Sequence, residues 1–363
     1  MRLLVNAVTV SRRSPGNWAH LRNLLEGWSA AGTSDRVLLA AHPSFPDELE
    51  ESLSGLVEVR RSRFGRPGML MTQHVSLNRL AQRFRADAVL NATPVAATLV
   101  SVRAPQVTVV HDIRHTVRPG EFSRHQIVYR DVVYRRSIRR SDAVIAVSTS
   151  TRDHLVGELG LAAERIRVVP HGADHVDRWE QAAHGTHAIV FAHWSNKRPE
   201  LAVRAWEILR DSTPDFDRRL EIVGAGDDTR RALASMAPPL NGLVRVHGYL
   251  PDSAYQRLFS GAAVVLMPST LEGFGLPVIE GLRLGIPVVV SEEAEAREAG
   301  GDAAIYAHGD AESFAAECSR LFADEVWREQ VIARGRAHAA TFTWTRSALA
   351  TRAVLVEAIS RRT

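Results

Sequence analysis

Short apolar runs alternate with stretches of helical periodicity along the whole chain, and that alternation leaves few architectures open. Strand-like runs stand at 3–8, 37–41, 88–90, 107–110, 143–147 and 166–169, with amphipathic stretches such as 18–30 and 125–140 among them. The rhythm begins again at 188–192, 220–223, 244–246, 263–267, 287–290 and 303–306, with helical stretches at 199–210, 252–260, 277–284 and 311–323. Near-continuous apolar runs are the mark of strands buried on both faces, as in parallel sheets covered by crossover helices. The expected fold class is therefore α/β, with two Rossmann-like, doubly wound parallel sheets in series. The 363 residues are enough for two such domains.

A polar, irregular stretch at 170–186, Pro-His-Gly-Ala-Asp-His-Val-Asp-Arg-Trp-Glu-Gln-Ala-Ala-His-Gly-Thr, is where the boundary is expected. We expect a first domain at 1–172 and a second at 186–343, with a helix in 344–363 packing back across the hinge. Open parallel sheets bind ligands outside the carboxyl ends of their strands, so two facing sheets predict an inter-domain cleft, each side gripping a different substrate.

Composition narrows the class further. Apolar residues at 45% and charged residues at 24% exclude a disordered or fibrous chain. One cysteine, Cys318, excludes an intrachain disulfide and a cysteine-based zinc site. Met1 leads directly into a strand-like run and no stretch reaches about 18 apolar residues, so we expect no leader, no spanning helix and a cytoplasmic protein. Residues 1–175 hold 24 basic and 16 acidic residues, against a net charge of +4 for the chain. A basic first half suits an anionic ligand or a membrane surface, and equally a solvated arginine-rich surface. No aromatic-interleaved basic stripe appears, so nucleic acid is not expected as a partner.

Of the 45 basic residues, 44 are arginine, and Lys197 is the single lysine. Surface positions tolerate exchange of lysine for arginine, but a site needing a compact, flexible ammonium does not. Lys197 is accordingly the first residue to suspect of chemistry.

The strongest local signal is Pro268-Ser269-Thr270-Leu271-Glu272-Gly273-Phe274-Gly275-Leu276-Pro277-Val278-Ile279-Glu280. It follows a buried strand, and Pro277 suits the opening turn of a helix. Glycines let the backbone approach a ligand, and the amides of Phe274, Gly275 and Leu276 would face an anion or a sugar oxygen at the helix start. Glu272 and Glu280 can accept from the paired hydroxyls of ribose or hexose; a cluster of acids favoured by the helix dipole is the plainer alternative.

Glu272-Gly-Phe-Gly-Leu-Pro-Val-Ile-Glu280, two glutamates with seven residues between them, resembles the signature of family 4 glycosyltransferases with the GT-B fold. Val109-Val110-His111-Asp112, Ser141-Asp142-Ala143-Val144-Ile145-Ala146-Val147-Ser148, Val168-Val169-Pro170-His171-Gly172 and Asn196-Lys197-Arg198 are similar to further pieces of that family. The resemblance spans roughly residues 1–345. It implies that Lys197 contacts the diphosphate of a nucleotide-sugar donor, that Glu280 binds ribose hydroxyls, and that Glu272 binds a hydroxyl of the donor sugar. It also implies that His111 lies beside the reacting sugar and that Gly16, in the loop before the first helix, offers an amide to phosphate. Transfer would retain configuration, without a metal or any cofactor beyond the donor itself. The acceptor would be a small molecule, a glycan or a lipid-linked precursor, from specialised-metabolite or cell-envelope biosynthesis. Docking on the inner membrane face through the basic first half is compatible with either.

The sequence departs from the family where a Gly-Arg usually precedes the lysine. Phe191-Ala192-His193-Trp194-Ser195-Asn196 has no arginine, which leaves Arg198 or His193 for the second phosphate contact. Gly224-Ala225-Gly226 lacks the third glycine of a dinucleotide fingerprint and reads as a tight turn on the nucleotide side. Asp215-Phe216-Asp217 has the form of a metal motif from another transferase fold, but precedes a strand and is not read as one. Residues 125–140, with Ile127, Val128, Val132, Val133 and Ile138 on one side, read as a cover for the first sheet or as a patch for anionic lipid. Residues 60–66, rich in arginine, read as a loop that recognises the acceptor. The nearest alternatives are a GT-B sugar-nucleotide epimerase and an inverting transferase; a two-lobed binding protein is more remote. An NAD-dependent dehydrogenase lacks its glycine fingerprint here, and a pyridoxal imine at Lys197 would show as a yellow absorbance.

Overall fold

The computed structural model describes residues 1–11, 14–53, 55–62, 76–96, 102–180, 182, 185, 187–236, 240 and 242–362. The chain divides into two compact units, Met1–Gly172 with Thr343–Thr363, and Ala173–Phe342.

The first unit is built on seven strands: β1 (Arg2–Ala7), β2 (Arg36–Ala41), β3 (Val57–Arg61), β4 (Ala88–Asn91), β5 (Gln106–Val110), β6 (Ala143–Ala146) and β7 (Ile166–Val168). They run parallel in the order β3-β2-β1-β4-β5-β6-β7. The chain first winds outward from β1, then returns to its other side at β4, so the strand order reverses between β1 and β4. Leu4, Val89, Val110 and Val144 have no exposed surface, because helices cover both faces. β3 was not among the expected runs. Its burial alternates, with Val57 and Val59 inward and Glu58 and Arg60 outward, which is the pattern of an edge strand. Arg60 and Arg61 therefore belong to a strand rather than to the expected loop, and residues 63–66 of that stretch lie outside the described residues.

Polar side chains at the centre of this sheet form a connected ladder. Asn6 Nδ2 donates to Asn91 Oδ1 and to the Val95 carbonyl, each at 2.9 Å. Asn91 Nδ2 donates to Thr108 Oγ1 at 3.1 Å, and Thr108 and Ser141 share a hydroxyl contact of 2.6 Å. Ser141 closes the series on the Ser137 carbonyl at 2.9 Å. Buried polar atoms are tolerated when each finds a partner, and these do.

The last helix, Trp344–Ser360, belongs to this unit too. Its Arg352 reaches Asp35 at 2.7 Å, and Asp35 also takes the amino terminus at 2.9 Å and Trp28 Nε1 at 3.1 Å. Burial alone would raise the Asp35 pKa, but these three donors outweigh it and hold the carboxyl far below the usual range. Glu357 pairs with Arg167 and Arg362 with Asp142, both at 2.6 Å. A Cβ at Gly27 or at Gly172 would collide with the backbone around Trp344, so both positions owe their glycine to this close approach.

The second unit repeats the plan with β8 (His187–Phe191), β9 (Arg219–Val223), β10 (Val244–Val246), β11 (Val264–Met267), β12 (Val288–Ser291) and β13 (Ile305–Ala307). The parallel order is β10-β9-β8-β11-β12-β13, reversing between β8 and β11. Trp206, Phe314, Leu220, Ile222 and Leu266 anchor its core, with Cys318 buried among them and its thiol pushed up by that burial. The stretch expected to be an irregular linker contributes a 3-10 turn, Asp174–Arg178, to this unit.

Candidate functional site

In an open α/β sheet the loops at the reversal of strand order part to leave a crevice, and ligands bind there. In the second unit those loops follow β8 and β11, and they carry Lys197 and Glu272. The Lys197 ammonium donates to Glu272 Oε1 at 2.6 Å, with side chains only 6% and 16% exposed. The backbone is tied at the same place: Thr270 N–H donates to the Asn196 carbonyl at 3.1 Å, and Asn196 Nδ2 to the Leu271 carbonyl at 2.6 Å. The ammonium also lies 5.9 Å from the centre of the Phe191 ring.

The β11 loop ends at Gly275, whose φ of +91° is open to glycine but costly for other residues. The helix Leu276–Leu284 starts there with Pro277 in its first turn and no side chain capping it. Phe274 is 3% exposed and packs 5.8 Å from Phe342, so its ring belongs to the packing of this unit. Glu280 follows in the same helix, 5% exposed, with Oε1 3.0 Å from His175 Nε2. Tyr255 is half-buried nearby, and desolvation and then the Glu280 charge raise its pKa well above the ordinary value.

Gly224 takes a φ of +81° at the end of β9, and a Cβ there would press on the His193 imidazole of the β8 loop. The Gly224 turn and the lysine loop are thus neighbours. Arg198, with a φ of +46°, lines a different cavity, of about 370 Å³, with Leu201, Arg204, Ile208 and Asp310. None of the other predicted site residues lines that cavity, so of the two substitutes for the missing arginine, His193 is the one beside the Gly224 turn.

In the first unit, Gly16 lies in the opening turn of the helix Pro15–Ala30 and not in the loop before it. Pro15 fixes that helix start one turn earlier than the apolar pattern suggests. His111 follows β5 and joins a cluster that sequence reasoning missed. Its ring is 4.7 Å from His20 and 5.6 Å from His171, and Trp344 stacks on His171 at 5.5 Å. Burial lowers the pKa of His111, against the pull of Asp112 and a backbone hydrogen bond at Ala92. Burial and the two neighbouring imidazoles push His20 down further. The His20 and His111 rings are thereby neutral at pH 7, able to donate or accept a hydrogen bond but carrying no charge. The signal that could have found them is three histidines placed at a helix, a strand end and a turn of one sheet. Among the described residues, no group of three or more His, Cys, Asp or Glu could hold a metal, and no helix is long and apolar enough to cross a membrane.

Two parallel α/β sheets of seven and six strands, each reversing order at its centre, define the GT-B class of glycosyltransferase folds. The profile described as "Glycosyltransferase Family 4" matches residues 16–177, and "Glycosyl transferases group 1" matches 186–324. The chain belongs to this family. It is 26% identical over 257 residues to the O-antigen chain mannosyltransferase B of Escherichia coli, covering 66% of each chain. It is 29% identical over 302 residues to the 2-deoxystreptamine glucosyltransferase of Streptomyces kanamyceticus, covering 71% of this chain and 76% of that one. The structure of Anabaena Alr3699/HepE in complex with UDP and glucose superposes with a TM-score of 0.74 at 21% identity, covering 98% of this chain and 100% of that one. Against several curated relatives the match spans only 54–66% of their length.

Proposed function

We propose that the protein is a retaining, metal-independent glycosyltransferase that moves a sugar from a nucleoside-diphosphate sugar to an acceptor hydroxyl. The observation that carries this reading is the Lys197–Glu272 pair where the second sheet reverses its order. As the bond from the sugar carbon to the diphosphate breaks, charge grows on the departing phosphate, and a fixed ammonium stabilises that charge more in the transition state than before it. Glu272 aims the ammonium and accepts from a hydroxyl of the donor sugar. Glu280 accepts from the ribose, the amides of Phe274, Gly275 and Leu276 face donor oxygens, and the Gly224 turn lines the nucleotide. His111, neutral, keeps the place beside the reacting sugar that the resemblance implies, and Gly16 offers an amide to phosphate. The departing phosphate oxygen takes the acceptor proton on the face where the new bond forms, so no protein nucleophile and no cofactor is needed.

We assign the donor to the second unit and the acceptor to the first. Two relatives are named for an O-antigen chain and for 2-deoxystreptamine, which supports a cell-envelope glycan or a specialised metabolite as the acceptor class. We place the reaction in the cytoplasm. The helix Arg124–Arg140 is its contact with anionic lipid, because it turns Val128 and Val132 outward, 64% and 60% exposed, among arginines. The apolar residues expected on one side of this helix in fact divide, Ile138 being fully buried.

The reading is tested with the purified protein and UDP, GDP, ADP and dTDP. At about 100 times its dissociation constant a cognate nucleotide adds about 2.7 kcal/mol of stability, visible as a rise in Tm. The corresponding donor sugar should be turned over in the presence of EDTA, and proton NMR should show the donor's anomeric configuration in the product. Inversion, loss of activity with EDTA, or no response to any nucleotide would each overturn it.

A further inference from the structure

We infer that His175 is a positioning residue: it fixes the orientation of the Glu280 carboxylate and thereby lets the site tell a ribonucleoside diphosphate from its 2′-deoxy counterpart. The inference rests on the proposed role of Glu280 toward ribose and deepens it.

The Glu280 and His175 side chains are 7% and 9% exposed, so the carboxylate has little water to turn toward. An ionised carboxylate only accepts, so the Nε2 of His175 carries the proton in this 3.0 Å contact and the ring donates it to Oε1. The histidine is itself held. Two residues on, Asp177 grips Arg283 through both carboxylate oxygens at 2.7 and 2.6 Å, one helical turn beyond Glu280. The turn Asp174–Arg178 is therefore pinned to the helix Leu276–Leu284 at two successive points. Behind the imidazole, Trp179 meets His175 edge-on at 5.7 Å and packs against Tyr255 at 5.9 Å and Phe259 at 5.6 Å.

A carboxylate recognises a vicinal diol when its plane lines up with both hydroxyls. Free to rotate, it satisfies one hydroxyl nearly as well as two and distinguishes the sugars poorly. With one oxygen tethered, the plane is set before the nucleotide arrives, and a missing 2′-hydroxyl leaves a buried acceptor unmet. A site built to bond a hydroxyl rejects the analogue without it, and that rejection depends on the acceptor being held in place.

The experiment measures, by calorimetry, the affinities of the pairs UDP/dUDP, GDP/dGDP and ADP/dADP for the wild type, His175→Phe and His175→Gln. The wild type should favour the ribose form of its cognate nucleotide on the order of tenfold, the value of one well-placed hydrogen bond to a charged group. In His175→Phe that ratio should shrink at least fivefold. The glutamine amide can replace the ring donor and should restore much of it. In turnover, the donor KM should rise more than kcat falls. A purely structural role would weaken both sugars equally and leave the ratio unmoved, and that result overturns the inference alone. A wild type that binds ribose and deoxyribose forms equally, or no nucleotide at all, overturns the reading of Glu280 and this inference with it.

Discussion

The two sheets share one topology and fill the place where the strand order reverses with opposite chemistry. In the first unit the strands meeting there are joined by neutral amides, Asn6 to Asn91, and Thr9 meets Thr93 at 2.9 Å just beyond. In the second, the loops meeting there are joined by an ammonium and a carboxylate, Lys197 to Glu272. A neutral ladder whose atoms all bond to one another holds strands in register and asks nothing of a ligand. A shielded ion pair is a poor way to gain stability, since its desolvation roughly cancels its attraction. Its persistence beside tied backbone loops argues for a charge held ready for something else.

Removing a member of the ladder should have the largest effect on the molecule. Asn6→Ala takes away the amide that donates to Asn91 Oδ1 and to the Val95 carbonyl in a buried place. Losing a buried donor costs about 1–3 kcal/mol per bond, so the first unit should lose roughly 2–4 kcal/mol. Hydrogen exchange followed by segment should show the loss in β1, β4 and β5, with β8 to β13 protected as before. Nucleotide affinity measured well below the new Tm should stay within about twofold. Equal loosening of both sheets would erase the contrast.

Lys197→Arg should give the reverse pattern. The guanidinium is longer and planar and cannot put its charge at the same point. We expect turnover to fall at least tenfold, against the full loss of about 3–4 kcal/mol of barrier stabilisation that removing such a contact typically brings. Tm should change by no more than a few degrees, because the pair adds little to stability. A folded variant with near-normal turnover would remove Lys197 from the chemistry.

Much of the fold was legible because strands buried on both faces write themselves as apolar runs; twelve runs marked strands of the two sheets, β7 and β10 among them although these two are only partly buried. β3 was not, because an edge strand alternates, and Val57-Glu58-Val59-Arg60 looks polar to a search for runs. In the site, Lys197 stood out by composition, and Glu272 and Glu280 by their spacing around Gly275 and Pro277. The structure then brings Lys197 and Glu272 into contact across two loops. His175 carried no local signal: it sits in a stretch with no periodicity, and its meaning comes from a carboxylate 105 positions away. His20 was hidden in the same way, as one more residue of a helix until the sheet set it against His111. Arg198 adjoins the lysine in sequence; its backbone is left-handed, and it also lines the cavity with Leu201 and Asp310.

The smallest effect should come from the outer face of the first unit. Within the helix Arg124–Arg140 the exposed positions Val128, Tyr129 and Val132 form an apolar patch, and Arg136, Arg139 and Arg140 follow it. The one acid of the helix, Asp131, is already paired with Arg135 at 2.7 Å, so the helix itself sets no unpaired carboxylate against its arginines. A surface that is apolar in the middle and cationic beside it complements an anionic lipid headgroup layer. Each arginine near such a layer is worth about 1 kcal/mol, so Arg136→Gln should weaken partition onto phosphatidylglycerol vesicles about fivefold. Raising the salt should reduce wild-type binding as well, since a Debye length of about 8 Å at physiological ionic strength shortens to about 3 Å at 1 M. Sedimentation with neutral phosphatidylcholine vesicles should carry down little protein. If the wild type pellets equally with both, or Arg136→Gln pellets like the wild type, the basic face is ordinary solvated surface, and the contrast between the units reduces to the chemistry at their strand reversals.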